Sequence, residues 1–282
     1  VVIVGPTASG RTGLAIVLAQ RFGGEIICAD SRTVYKGMDI GTAKPTAQEQ
    51  ALVPHWGLDL VEPGERFTAA DFKQYATQKI AEIRARGNVP FLVGGTGLYV
   101  DSIVLDYQFG DDVNTTQRQN LEKMTVEELK RYCSKNNITL PENDKNKRHL
   151  VRAIERNNIS VKRREQPIEN CFVVGIATDR NVLRERIAAR REQLFANGVV
   201  DEAKSLGKKY GWENEAMTGN IYPIAHDLLS GSITLAEAKE KFETLDWRLA
   251  KRQMTWLRRN DFIHWASLAE AEKYLQKVLG VL

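Results

Sequence analysis

The N-terminal stretch Val1-Val2-Ile3-Val4-Gly5-Pro6-Thr7-Ala8-Ser9-Gly10-Arg11-Thr12 decides the fold of this chain. Its first four residues are apolar, a glycine-containing turn follows directly, and an apolar-periodic segment begins at Leu14. This is the order strand, loop, helix, in which the pattern G-x-x-x-x-G-K-[ST] has a physical meaning. The backbone N–H groups of such a loop and the positive end of the helix dipole attract an anion, so the stretch predicts a phosphate-binding loop (P-loop).

One position departs from this pattern, because Arg11 stands where the pattern has lysine. A guanidinium is a planar fork and an ammonium is a compact point charge, so the two are not equivalent at a phosphate. The departure weakens an NTPase interpretation but not phosphate binding, and a plain glycine turn is the alternative. The predicted diphosphate- or nucleotide-binding residues are Gly5, Pro6, Thr7, Ala8, Ser9, Gly10, Arg11 and Thr12.

Short apolar runs alternate with helical patterns over the first hundred residues. Strand-like runs are Glu25–Cys28, Gly57–Leu60 and Val89–Val93, and a helix is predicted from a capping box at Thr68 to Arg86. Alternation of this kind predicts an α/β fold, namely a P-loop NTPase-like parallel sheet flanked by helices.

Ligands of such sheets bind beyond the carboxyl ends of the strands. The segments that directly follow predicted strands are Gly5–Thr12, Ala29–Thr33 and Gly94–Thr96. These three segments are therefore the candidate site.

The pattern changes between residues 106 and 170, where polar loops separate helical segments. We predict a helical insertion domain over 106–170 and a core formed by 1–105 and 171–282, in which the sheet resumes with a buried strand at 171–176. The helices predicted in the insertion are 116–123, 126–136 and 147–157.

Composition excludes several protein classes. A hydrophobic fraction of 43% and a charged fraction of 27% are ordinary for a globular protein, and no apolar run approaches the roughly 20 residues that a membrane helix needs. Cys28, Cys133 and Cys171 are far apart and the histidines are isolated, which argues against a disulfide framework or a zinc site. We expect a cytoplasmic monomer without a membrane partner.

Positive charge is concentrated in two segments. Between Lys145 and Arg164 there are eight basic residues and one acid, and a second basic cluster lies between Arg248 and Arg259. Solvated helix faces would explain either cluster alone, but two clusters together with a phosphate-binding loop favour a nucleic-acid partner.

Three further stretches carry a resemblance to a known family. Asp30–Pro45 reads DSRTVYKGMDIGTAKP, Val93–Tyr99 reads VGGTGLY, and Ala250–Arg258 reads AKRQMTWLR. Together with the P-loop they resemble the tRNA dimethylallyltransferases. That family transfers a dimethylallyl group from dimethylallyl diphosphate to the exocyclic N6 of an adenine beside the tRNA anticodon.

The resemblance implies roles for named side chains. Thr12 would help to hold Mg²⁺, and the catalytic residues would be Asp30, Thr96 and Arg190. Asp30 follows the second strand, where it can accept the proton of the attacking amine, although a helix cap or a metal partner is the alternative. Arg190 matches an arginine that reaches the pyrophosphate, with a plain surface charge as its alternative.

The resemblance also implies the anticodon stem-loop of tRNA as the partner, with the target base flipped out of its stack. The family's tRNA-contacting segments fall here on Asp30–Thr33, Arg148–Arg152 and Lys251–Arg258, and the last two coincide with the two basic clusters. The implied tRNA-binding residues are Asp30, Ser31, Arg32, Thr33, Thr96, Arg118, Arg148, His149, Leu150, Val151, Arg152, Lys251, Arg252, Gln253, Met254, Thr255, Trp256, Leu257 and Arg258.

Several positions depart from the family pattern. Thr33 stands where glutamine is common, Trp247 occupies an arginine position, and Gly219–Pro223 replaces an Ile-Gly-Tyr segment. Three alternatives stay open. An adenylate dimethylallyltransferase would not need the basic clusters, a P-loop small-molecule kinase would need the missing lysine, and a non-catalytic RNA-binding relative would tolerate Arg11.

Overall fold

A computed structural model of the chain describes residues 1–109, 115–157 and 162–281. In this part of the chain one parallel sheet has the strand order β3-β2-β4-β1-β5-β6, which confirms the predicted fold class. The strands are β1 (Val2–Val4), β2 (Gly24–Cys28), β3 (His55–Trp56), β4 (Val89–Gly94), β5 (Val173–Ile176) and β6 (His264–Ala266).

Helices connect and cover these strands. They are α1 (Arg11–Phe22), α2 (Ala47–Leu52), α3 (Ala69–Ala85), α4 (Gly97–Val104), α5 (Thr115–Lys123), α6 (Val126–Lys135), α7 (Lys147–Arg156), α8 (Arg180–Ala196), α9 (Val199–Tyr210), α10 (Ile221–Leu229), α11 (Leu235–Leu257) and α12 (Leu268–Leu279), with a 3₁₀ turn at Glu215–Thr218. Helix α3 begins at the predicted capping box, in which the Thr68 hydroxyl accepts the Asp71 N–H.

Alternate residues of the central strands form the main hydrophobic core. Ile3 and Val174 lie on one face of the sheet with Leu14 and Leu18 of α1 and Leu275 of α12. Every residue of β1, β2 and β5 is buried, as parallel strands with helices on both faces must be. The packed sheet fixes the edge at which the strands end.

The strand predicted at Gly57–Leu60 is wrong. The strand beside β2 is His55–Trp56, and the chain leaves the sheet because Gly57 and Asp59 have positive φ values of 86° and 54°. Asp59 instead accepts a hydrogen bond from Lys44 Nζ at 2.7 Å. Strand β6 and helices α2 and α4 were not predicted.

The chain divides into two compact units, Val1–Leu105 with Gln166–Leu282, and Asp106–Glu165. The second unit contains α5, α6 and α7 around Leu129, Cys133 and Leu150, and it ends at Glu165, whereas the sequence pattern predicted an end at residue 170. In the described ranges no helix has both the length and the apolar character of a membrane span.

A buried carboxylate on β2 gives a prediction about stability. Glu25 is 3% exposed and accepts hydrogen bonds from Arg86 Nε and Nη2, Asn88 Nδ2 and Trp56 Nε1 at 2.9, 2.8, 2.8 and 2.7 Å. These bonds, above all those from Arg86, lower the pKa of Glu25 from 4.5 to about 2. Since the folded-state pKa is depressed, the stabilisation is complete above pH ~5 and is lost as the pH falls towards 2.

We expect Glu25→Gln to lower the free energy of unfolding at pH 7 by about 2–3 kcal/mol and to flatten its pH dependence between pH 5 and 2. Urea unfolding of the two proteins across this pH range measures both effects. Glu240→Gln on the exposed side of α11 is the matched control. Equal pH profiles of the parent and Glu25→Gln would contradict this assignment.

Candidate active site

The P-loop connects β1 to α1 and is shaped by its glycines. Gly10 caps α1 with φ 90°, a backbone conformation that residues with a side chain rarely adopt. A Cβ on Gly5 would lie 2.7 Å from Ser9 Oγ, which is too close. The Ser9 N–H donates to the Pro6 carbonyl at 3.2 Å, which closes the turn. The loop therefore has the compact geometry that presents backbone donors before a helix N-terminus.

Asp30 and Thr96 meet beside this loop, because β2, β4 and β1 are neighbours and end at one edge of the sheet. The Thr96 hydroxyl accepts the Ser31 N–H at 3.0 Å, and Asp30 Oδ1 accepts the Arg32 N–H at 2.9 Å. Asp30 Oδ2 lies 3.9 Å from Arg11 Nη2. The structure thus brings together a carboxylate, a hydroxyl and a guanidinium that were predicted separately.

Arg11 extends across the centre of this edge. Its Nη1 donates to the Gly5 and Pro6 carbonyls at 2.8 and 2.7 Å, and its side chain is 14% exposed. Burial lowers the pKa of Arg11, the charge of Arg190 adds to the shift, and the charge of Asp30 opposes it. Arginine stays protonated in proteins, so this group is a buried cation that an anionic ligand would stabilise.

Helix α8 brings two more arginines to the loop. Arg190 Nη1 donates to the Thr7 hydroxyl, and Arg186 Nη1 donates to the Ser9 carbonyl at 2.9 Å. Arg190 Nε and Ser9 Oγ are buried and have no hydrogen-bond partner among the described residues. An unpaired buried donor costs about 1–3 kcal/mol, so this donor set fits an anion that accepts several hydrogen bonds.

Helix α11 approaches the P-loop from the other end of the sequence. Gln253 Oε1 accepts the Thr7 N–H at 2.8 Å, and a Cβ on Gly95 would collide with the Gln253 amide. Trp256 Nε1 donates to Asp101 Oδ2 at 2.7 Å, while Leu257 is fully buried. Three of the residues that the resemblance assigned to tRNA are therefore engaged inside the protein.

The opposite side of α11 is basic and exposed. A cavity of about 330 Å³ is lined by Lys251, Arg252, Thr255, Trp256 and Arg259. The Arg259 guanidinium lies 5.2 Å from the centroid of the Trp256 ring. Cations beside an aromatic ring are the chemistry that binds RNA phosphates and unstacked bases. Arg259 belongs to the second basic cluster but was not among the predicted site residues.

The other predicted tRNA contacts have different environments. On α7, Arg148 and His149 are exposed, whereas Leu150 and Val151 are buried in the core of the second unit. Arg118 is paired with Glu122 and Glu155, at 2.8 and 3.0 Å.

Arg32 and Thr33 are held within the first unit. Arg32 donates to the Glu215 and Ala216 carbonyls, both at 3.3 Å, and to the Thr218 hydroxyl at 3.2 Å. Thr33 is 5% exposed and donates to the Asp30 carbonyl at 3.4 Å. Both side chains shape the loop that carries Asp30.

A carboxylate that was not predicted holds the segment Asp30–Pro45. Glu202 on α9 accepts the N–H groups of Asp39, Ile40 and Gly41 at 2.9, 2.6 and 2.8 Å, and its Oε1 also accepts the Tyr222 hydroxyl at 2.9 Å. No signal in the sequence connected Glu202 to this segment. Part of the Asp30–Pro45 motif therefore has a structural role.

The comparisons with known proteins agree with this geometry. The sequence model of the IPP transferase family matches residues 33–260. The tRNA dimethylallyltransferase of Streptococcus mutans is 40% identical over 278 residues, covering 96% of this chain and 93% of the relative. The solved tRNA isopentenylpyrophosphate transferase of Bacillus halodurans is 36% identical with a TM-score of 0.75, covering 99% and 96% of the two chains. A eukaryotic dimethylallyltransferase acting on tRNA shares the fold, with a TM-score of 0.77, at 22% identity over 95% of this chain and 73% of its own. The chain belongs to the tRNA dimethylallyltransferase family.

Proposed function

We propose that this protein transfers the dimethylallyl group of dimethylallyl diphosphate to N6 of an adenine next to the anticodon of tRNA and releases diphosphate. The observation that supports the proposal most is the 3.9 Å approach of Asp30 Oδ2 to Arg11 Nη2, because a carboxylate at that position can act as a base beside the guanidinium that we assign to the diphosphate. The names of the relatives support the same chemistry.

Each of the site residues has a different role in the proposed reaction. The N6 nitrogen forms a bond to the allylic carbon as the carbon–oxygen bond to diphosphate breaks, and Asp30 accepts the N6 proton. Negative charge grows on the leaving diphosphate, where Arg11, Arg190 and the loop N–H groups can stabilise it. Thr96 holds the Ser31 backbone and so fixes the loop that carries the base.

Mg²⁺ fits this site as an ion that binds together with dimethylallyl diphosphate. In phosphate sites Mg²⁺ is held by one or two protein oxygens together with phosphates and water, and the described residues contain no group of three or more His, Cys, Asp and Glu side chains that could hold a metal. Thr12 is the oxygen ligand that we propose. Bound Mg²⁺ would neutralise charge on the diphosphate.

Exposed cations favour tRNA over a free nucleotide as the acceptor. A mononucleotide would leave the α11 cavity unused, whereas an anticodon loop has phosphates and unstacked bases to fill it. Incubation of the protein with tRNA, the donor and Mg²⁺, followed by mass spectrometry of the nucleosides, tests the proposal. Prenylated adenosine in tRNA is expected, and efficient prenylation of AMP instead would support the adenylate enzyme.

The salt dependence of tRNA binding should report the α11 surface. Replacing Lys251 and Arg252 by alanine is expected to weaken tRNA binding and to reduce the slope of log K against log salt by roughly one for each lost phosphate contact. Titrations of labelled tRNA at several salt concentrations measure the slope, with a Lys239→Ala/Lys241→Ala double variant of the same helix as the control. An unchanged slope would remove this surface from the tRNA interface.

A further inference from the structure

Asp246 on α11 is a buried carboxylate with an unused oxygen. It is 2% exposed. Among the described residues its Oδ1 accepts a single, long hydrogen bond, from Asn220 at 3.5 Å, and its Oδ2 has no partner. By contrast, Asp101 is also buried, but Trp256 and Asn260 satisfy its two oxygens at 2.7 and 2.8 Å. Burying a carboxylate oxygen without a hydrogen bond costs free energy, so a donor to Asp246 Oδ2 would stabilise the protein.

Asp246 lies on the face of α11 that meets the P-loop. Ala250 and Gln253 follow it at helical spacing on the same side. Ala250 packs in a hydrophobic cluster against which Ala8 of the P-loop lies, and Gln253 accepts the Thr7 N–H at 2.8 Å. The diphosphate site, or the residues that line it, can therefore supply a donor to Asp246.

Arg11, in contrast, has N–H donors that make no hydrogen bond to other described residues. A guanidinium has five N–H donors, and only Nη1 of Arg11 makes hydrogen bonds to other described residues, at the Gly5 and Pro6 carbonyls. Its Nη2 is 3.9 Å from Asp30, beyond hydrogen-bond distance. The negative charge of Asp246 also acts on Arg11, where it raises the pKa of the guanidinium and so opposes the loss of its proton. One residue has unused donors and the other an unused acceptor, and both belong to the elements that meet where Gln253 of α11 accepts the Thr7 N–H.

We propose that Asp246 is a positioning residue that holds the Arg11 guanidinium towards the bound diphosphate, with its Oδ2 accepting an Arg11 N–H. The proposal rests on the proposed function, because it concerns the same diphosphate site. Both carbonyl acceptors of Arg11 are bound by Nη1, so an acceptor for another guanidinium nitrogen would fix the plane of the fork, whereas a lysine ammonium is a point charge that loop and phosphate oxygens suffice to hold. Asp246 is thus the acceptor that an arginine at position 11 requires.

Binding of inorganic pyrophosphate in the presence of Mg²⁺ tests the pair directly, without the transfer reaction. Isothermal titration calorimetry would compare the parent, Asp246→Asn, Arg11→Lys and the double variant. Loss of a negative charge near an anion should by itself strengthen binding. We expect Asp246→Asn instead to weaken pyrophosphate binding about fivefold or more in the parent, and less than about twofold in the Arg11→Lys background, because coupled sites are non-additive.

Three further measurements make the outcome decisive. Glu243→Gln removes the same charge from the same helix and should bind pyrophosphate like the parent. Asp246→Thr repeats the test if the asparagine variant does not fold, as judged by thermal melting. With dimethylallyl diphosphate and tRNA, Asp246→Asn should lower kcat more than it raises the donor KM.

Stronger pyrophosphate binding by Asp246→Asn, or equal weakening in the parent and in the Arg11→Lys background, would overturn the role of Asp246. If the parent binds pyrophosphate but transfers no prenyl group to tRNA, the proposed function is wrong. The comparison of pyrophosphate binding among the parent and the three variants still tests the interaction of Asp246 with Arg11.

Discussion

Asp30→Asn is expected to lower the turnover of dimethylallyl transfer by about 100-fold or more, while the affinity for tRNA changes little. The asparagine keeps the shape of the side chain and its hydrogen bond with the Arg32 N–H, which Asp30 Oδ1 accepts at 2.9 Å. It removes only the charge that accepts the N6 proton. Single-turnover assays at saturating donor and tRNA measure the effect.

Asp261→Asn, at an exposed position of the first unit, is the matched control and should behave like the parent. Near-normal turnover in Asp30→Asn would show that Asp30 is not the base. Loss of tRNA binding in parallel with turnover would instead assign Asp30 to the acceptor contact alone.

Arg11→Ala is expected to raise the KM for dimethylallyl diphosphate and to lower kcat by about 100-fold, because the charge that Arg11 stabilises is largest in the transition state. The variant also removes the cation that lies across the Gly5 and Pro6 carbonyls. Steady-state kinetics with varied donor and saturating tRNA separate the two parameters.

Arg21→Ala provides the control, since Arg21 lies at the exposed end of the same helix and its described partner is the Phe22 ring. A parent-like Arg11→Ala would mean that the loop side chain is dispensable. The non-catalytic alternative would then gain support.

Local sequence was sufficient to predict a parallel sheet with β1, β2, β4 and β5, and the meeting of Asp30 with the P-loop. The strand and glycine pattern defines the loop, and parallel strands end at one edge, so residues that follow neighbouring strands must lie close together. The position of β3 was missed because Gly57-Leu58-Asp59-Leu60 looks extended, although Gly57 and Asp59 take positive φ values that only the fold reveals.

The contacts of α8 and α11 with the loop were beyond such reasoning. Thr7 and Gln253 are separated by 246 positions, and nothing local links them. The family resemblance suggested that Arg190 reaches the pyrophosphate, whereas the helical periodicity of α8 alone did not single out this arginine. Within Lys251–Arg258, however, the helical period was available and distinguishes the inward Gln253 and Leu257 from the exposed Lys251, Arg252 and Thr255.

The same long separations decide when the site can form during synthesis. Glu202 accepts the N–H groups of residues 39–41, and Gln253 accepts the Thr7 N–H. A nascent chain that ends after Thr96 therefore contains the P-loop, Asp30 and Thr96 but lacks Glu202 and Gln253. The cradle is completed only after α11 has been translated, so an N-terminal fragment containing every motif of the first hundred residues would be inactive.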